Sequence, residues 1–181
     1  MSAKDFLVDL STIDFNRPVA TLEDIRQVNP QRFEMEQLTA IVYVDPQANT
    51  CVGYKDVTEQ DFWVRGHMPG LPLMPGVIML ECIAQLCSFV SQKYDLLGAE
   101  MVGFGGLENV RFRDPILPGD RLIVMCALDK VRRGKMIVCR FQGVVGETIV
   151  VEGVLKGIPI PVDYIHKLAA ERKLKSKSKS P

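Results

Sequence analysis

The stretch Gly76-Val-Ile-Met-Leu-Glu81-Cys-Ile-Ala-Gln85-Leu-Cys-Ser88-Phe-Val90 is apolar on nearly every side of a helix, and the fold follows from it. A helix greasy all round must be wrapped by other elements rather than laid on a surface. Directly before it stands Gly66-His-Met-Pro-Gly-Leu-Pro-Leu-Met-Pro-Gly76, whose three prolines and three glycines fix an irregular backbone. Rigid loops of this kind position functional groups.

Moving towards the N-terminus, residues 38–45 and 50–58 are rich in β-branched and aromatic residues, with Asp45-Pro-Gln-Ala-Asn49 between them as turn chemistry. They predict a hairpin. Thr21-Leu-Glu-Asp24 predicts a helix N-cap with its acidic partner at the third position, opening a short helix that Pro30 closes, a lid or edge element. Residues 1–20 show no clear period and read as an N-terminal extension.

Beyond the buried helix lie four strand-like runs, at 101–113, 120–132, 135–146 and 147–158, separated by Leu117-Pro-Gly-Asp120, Arg132-Arg-Gly134 and Gly146-Glu147. Short connections imply an antiparallel sheet, and one helix is engulfed only if that sheet curls round it. The expected class is α+β, the hotdog architecture, in one domain over residues 21–160, followed by a C-terminal basic tail over 161–181. Its end, Glu171-Arg-Lys-Leu-Lys-Ser-Lys-Ser-Lys-Ser-Pro181, is of low complexity. An exposed sheet edge on each protomer predicts a homodimer, which would cover it.

Composition narrows the partners. Lys+Arg and Asp+Glu both number 22, so no global field draws nucleic acid or an anionic membrane. The longest apolar stretch, residues 77–90, is too short to span a bilayer, and no secretory pattern surrounds Lys4, Asp5 and Asp9. A cytoplasmic location is expected. Five cysteines, Cys51, Cys82, Cys87, Cys126 and Cys139, form no Cys-x-x-Cys pair and lie in apolar runs, which predicts reduced core thiols and no metal site.

Of two histidines, His166 falls in a polar stretch and His67 in the Pro/Gly loop, so His67 is the candidate. Glu81, Gln85, Ser88 and Gln92 share one stripe of the apolar helix, and a carboxylate among core residues is costly unless it has a partner. Pro75-Gly76-Val77 opens the helix, where N–H groups lack intrahelical acceptors and the dipole is positive. A base, an acid and an amide for a developing oxyanion are the parts needed to eliminate water from a β-hydroxy thioester.

These residues resemble the FabZ-type 3-hydroxyacyl-acyl-carrier-protein dehydratases, whose signature Gly-His-Phe-Pro-Gly-x-Pro-x-x-Pro-Gly-Val precedes Glu-x-x-x-Gln. It stands here as Gly66-His67-Met68-Pro69-Gly70, Pro72, Pro75-Gly76-Val77 and Glu81-Cys-Ile-Ala-Gln85. Val110-Arg-Phe-Arg-Asp-Pro-Ile-Leu-Pro-Gly-Asp120 is similar to the strand and turn that follow in that family. The resemblance implies a hotdog dimer, often a trimer of dimers, with His67 of one subunit facing Glu81 of the other. His67 would take the α-proton, Glu81 would protonate the hydroxyl and the Gly76 N–H would polarise the thioester carbonyl. Met68, Pro69, Val77 and Gln85 would border the substrate, with Gln85 supporting Glu81. No metal or redox cofactor is implied; the acyl chain would arrive on the phosphopantetheine of an acyl carrier protein.

The chain departs from the family at Pro30-Gln-Arg-Phe-Glu-Met-Glu-Gln37, and at Met68, where Phe is usual. An acidic carrier calls for a basic dock, and Arg111, Arg113, Arg132, Arg133 and Lys135 are expected to supply it as a group. Two other readings are a hotdog thioesterase, in which Glu81 activates water, and a non-catalytic acyl- or carrier-binding member. The first leaves His67 idle and the second leaves the whole pair idle.

Overall fold

The computed structural model describes residues 6–177, with side chains to residue 173. Its elements are α1 (Leu22–Val28), β1 (Ala40–Asp45), β2 (Thr50–Asp56), α2 (Gly76–Lys93), β3 (Val102–Phe112), β4 (Arg121–Arg132), β5 (Met136–Val145), β6 (Thr148–Pro159) and α3 (Val162–Lys177). The strands form one antiparallel sheet in the order β1-β2-β4-β5-β6-β3, and α2 packs on its inner face. Twelve of the eighteen α2 residues are buried, as an all-round apolar helix requires.

Alternation along the strands sorts the two faces. Cys51, Leu122, Val124, Cys126, Leu128, Cys139 and Phe141 point inward to α2, while Val52, Tyr54 and Met125 point outward. The outward set is buried too. Val8 lies over it, with Phe6, Leu7, Leu10, Ile13 and Phe15 packed alongside, and Leu7 N–H donates to Gln142 Oε1 at 2.8 Å. Residues 6–20 of the N-terminal extension are therefore a strap on the outer face, with a 3-10 turn at Leu10–Thr12. No period shows in that sequence because the strap is part extended and part turn.

The strap ends by guarding a sheet edge. Val19 and Ala20 donate to the Ile41 carbonyl, and Ile41 N–H donates back to Ala20, which covers β1. Thr21 then caps α1, its side chain accepting from Asp24 N–H while the Asp24 carboxylate accepts from Thr21 N–H, the reciprocal pair that the sequence predicts. At the other margin β3 pairs with β6 alone and shows Phe104, Leu107 and Phe112 to solvent.

Within the C-terminal basic tail, residues 162–177 form the helix α3; residues 178–181 lie outside the described residues. One expectation is corrected by the geometry. The five basic residues do not form one group. Arg111 and Arg113 sit where Phe112 meets Gly76 at the start of α2, whereas Arg133 pairs with Asp95 and Gly134 N–H donates to Leu97, beyond its end. Eighteen helical residues separate the two sets by about 27 Å. One set lies at the end of β3 and the other at the β4–β5 connection, and spacing in sequence cannot show that.

Among the described residues, no helix is long and apolar enough to cross a membrane.

Candidate active site

The loop before α2 is built from its own backbone. Asp61 accepts from Thr58 N–H, the buried Trp63 offers its carbonyl to both Gly66 and His67, and Met68 and Leu71 bond each other across Pro69-Gly70. Proline followed by a glycine at φ 79° is the pattern of a type II turn. Beneath the loop, Lys55 Nζ lies 2.7 Å from Asp61 Oδ1, with both side chains 9% exposed.

His67 is half-buried, and its Nδ1 lies 2.8 Å from the Leu73 carbonyl oxygen. A carbonyl cannot donate, so the neutral ring carries its proton on Nδ1 and leaves Nε2 with a free lone pair. Leu73 N–H returns a bond to the His67 carbonyl, so ring and backbone are held together. The imidazole lines a cavity of about 580 Å³ with Gly76, Val77, Phe112 and Arg113. Pro75 is the α2 N-cap and no side chain caps the helix, so its first N–H groups meet this cavity with the positive end of the dipole behind them.

Glu81 lines a different cavity, of about 230 Å³, with Pro30, Gln31, Ala84, Cys87, Ser88 and Phe104 among its walls. Gln85 Nε2 donates to Glu81 Oε1 at 2.8 Å and to the Met35 carbonyl at 2.6 Å, while its Oε1 accepts from Gln37 N–H at 2.9 Å. Asn29 Nδ2 donates to the Gln85 carbonyl at 2.9 Å. Glu81 and Gln85 of the polar stripe thus face residues 29–37, and Pro30 and Gln31 of the segment that departs from the family line the Glu81 cavity.

The predicted residues divide accordingly. His67, Gly76 and Val77 share one cavity and Glu81 lines another, so one chain does not bring the pair together. Gln85 holds the Glu81 carboxylate from within. Met68 and Pro69 are exposed on their turn and line neither cavity. Of the basic residues only Arg113 borders one, and it is paired with Glu152. Sequence reasoning missed Phe112, whose ring covers Gly76, and Phe104 and Leu155, which close the Glu81 cavity; the sole signal was their apolar alternation on β3 and β6. It also missed that three cysteines meet.

Residues 29–154 match the family described as the FabA-like domain. The chain is 37% identical over 129 residues, 70% of its own length and 84% of the relative's, to a 3-hydroxyacyl-[acyl-carrier-protein] dehydratase FabZ of Desulfotalea psychrophila. It is 33% identical over 132 residues, 71% of its length and 85% of the relative's, to the FabZ of Mannheimia succiniciproducens. A chain from the dehydratase heterocomplex ApeI:P of Xenorhabdus doucetiae superposes with a TM-score of 0.65 at 17% identity, over 84% of this chain and 99% of that one, and shares the hotdog fold. The chain belongs to the FabA-like domain family and, within it, to the FabZ-type 3-hydroxyacyl-acyl-carrier-protein dehydratases.

Proposed function

We propose that the protein is a hydro-lyase of fatty acid synthesis, which removes water from a 3-hydroxyacyl thioester on acyl carrier protein to give the trans-2-enoyl thioester. The observation that carries this reading is the fixed tautomer of His67, which leaves Nε2 with a free lone pair on a residue that lines the cavity at the uncapped start of α2. Two copies pair through the open β3 edge, and Glu81 of the partner subunit completes the site that His67 begins. The apolar side chains Phe104, Leu107 and Phe112 along that edge support this pairing.

In the reaction His67 Nε2 takes the proton from C2 as charge builds on the thioester oxygen, which the Gly76 N–H steadies. Glu81 gives a proton to the C3 hydroxyl, the C3–O bond breaks, the C2–C3 double bond forms and water leaves. Each proton-transfer partner is worth about 10²- to 10⁴-fold in rate. The step needs no metal or redox cofactor, and the phosphopantetheine of the carrier brings the acyl chain. Arg111 and Arg113, beside the start of α2 that follows the His67 loop, are the half of the basic set suited to dock an acidic carrier. Five buried free thiols fit the reducing cytoplasm.

The test is hydration of a crotonoyl thioester, followed by loss of the conjugated absorbance. Wild type hydrates it and His67→Ala loses about 10²- to 10⁴-fold. Release of free thiol would instead identify a thioesterase, and absence of turnover on every chain length would leave a binding protein.

A further inference from the structure

Three sulfurs from three elements converge beneath the Glu81 cavity. Cys87 Sγ, on α2, lies 3.1 Å from Cys139 Sγ on β5 and 3.3 Å from Cys126 Sγ on β4. All three lie within 4.8 Å of one another, and Cys51 faces Cys126 across the β2–β4 ladder. Of these, Cys87 lines the cavity, so a small solute entering beside Glu81 meets its sulfur first.

The spacing separates the chemistries open to such a cluster. A tetrahedral zinc thiolate centre, with bonds of about 2.3 Å, keeps its sulfurs about 3.8 Å apart. Cys87 Sγ lies closer than that to both of its neighbours, and the three belong to the apolar core, where several thiolate charges would be costly. A disulfide is neutral and needs its sulfurs adjacent. The neighbouring thiols, Cys126 first, stabilise the Cys87 thiolate and hold this thiol below its ordinary value against the opposing effect of burial. The thiolate is the form that attacks an oxidant.

We propose that Cys87 is an oxidisable thiol on the wall of the Glu81 cavity, and that a hydroperoxide converts Cys87 and Cys139 into a disulfide joining α2 to β5. The Cys87 thiolate attacks the peroxide: an S–O bond forms, the O–O bond breaks, and the departing alkoxide or hydroxide takes up the proton that Cys87 released and leaves as alcohol or water. The Cys139 sulfur then attacks the resulting sulfenic acid; an S–S bond forms, the S–O bond breaks, and the departing hydroxide takes the thiol proton as water. The two sulfurs lose two electrons and the peroxide gains them.

The experiment treats the folded, fully reduced chain with hydrogen peroxide, alkylates the remaining thiols and maps the peptides by mass. Wild type is expected to lose the mass of two hydrogen atoms and two of its five alkylatable thiols, to join the Cys87 and Cys139 peptides, and to regain both thiols with a dithiol reductant. Cys87→Ser is expected to keep its remaining thiols under the same treatment. The proposal is overturned if folded wild type takes up oxygen at Cys87 without bridging, or if it bridges another pair such as Cys51 and Cys126. It is equally overturned if Cys87→Ser bridges as fast as wild type. Should that variant not fold, the wild-type map decides by itself.

Discussion

Gln85 ties Glu81 to residues 35–37: one buried amide holds the carboxylate at 2.8 Å, the Met35 carbonyl at 2.6 Å and the Gln37 N–H at 2.9 Å. Gln85→Leu leaves the two backbone groups without a partner. Buried unsatisfied groups cost about 1–3 kcal/mol, so the unfolding free energy measured in urea should fall by about that much. Hydration kinetics should show kcat reduced more than KM is raised, because the carboxylate is freed while the cavity walls remain. An unchanged kcat would show that Glu81 needs no such support.

A Cβ on Gly76 would lie 2.8 Å from Cε1 and 2.9 Å from Cζ of Phe112, so Gly76→Ala must push that ring aside. Phe112 is 51% exposed and can move, so the fold should survive. The expected result is a loss of about 10- to 100-fold in hydration rate. Gly76→Ala with Phe112→Ala should recover part of it. If the double variant were as slow as the single, displacement of the ring would not be the cause.

His67 and Glu81 line separate cavities in one chain, which makes subunit mixing informative. His67→Ala and Glu81→Ala homodimers should both be inactive. A purified heterodimer of the two variants contains one intact pair and should regain about half the wild-type rate. No recovery would place each working pair within a single chain.

Lys55 and Asp61 form a buried pair under the loop that carries Trp63 and His67. Asp61→Asn leaves the ammonium uncompensated and should cost about 3–5 kcal/mol, measured by chemical denaturation. Replacing both with apolar residues of similar size should restore much of that stability. A single variant as stable as wild type would mean that solvent reaches the pair.

Glu36 receives two bonds from the Arg26 guanidinium, at 2.7 and 2.9 Å, which hold its carboxyl below the ordinary 4.5. Because the folded value lies below the unfolded one, the stabilisation is complete above about pH 4.5 and is lost as pH falls through the folded value. Glu36→Gln should therefore melt lower than wild type at neutral pH, and the two melting curves should converge in acid. An equal gap at both ends would assign the effect to packing.

Elements were legible where a local rule decided them. Thr21 and Asp24 announced a cap, residues 45–49 a turn, and the apolar run after Gly76 a wrapped helix. The strap escaped because its contacts with Val52, Tyr54 and Met125 follow no single period. The helix α3 escaped because its polar, exposed residues show little apolar stripe. In the site, His67 and Glu81 could be named from residue type and loop chemistry. Their separation into two cavities, the split of the basic residues and the meeting of Cys87, Cys126 and Cys139 depend on strand register, which is a tertiary property.

The strap over the outer face also limits how copies of this chain can gather. With Val8 and its neighbours seated on Val42, Val52 and Tyr54, the greasy side of that region is consumed within the molecule, and stacking sheet upon sheet there would first require peeling a terminus away. The β3 margin, with Phe104, Leu107 and Phe112 exposed along it, keeps no such cover, so the segment that insulates one face leaves that edge open.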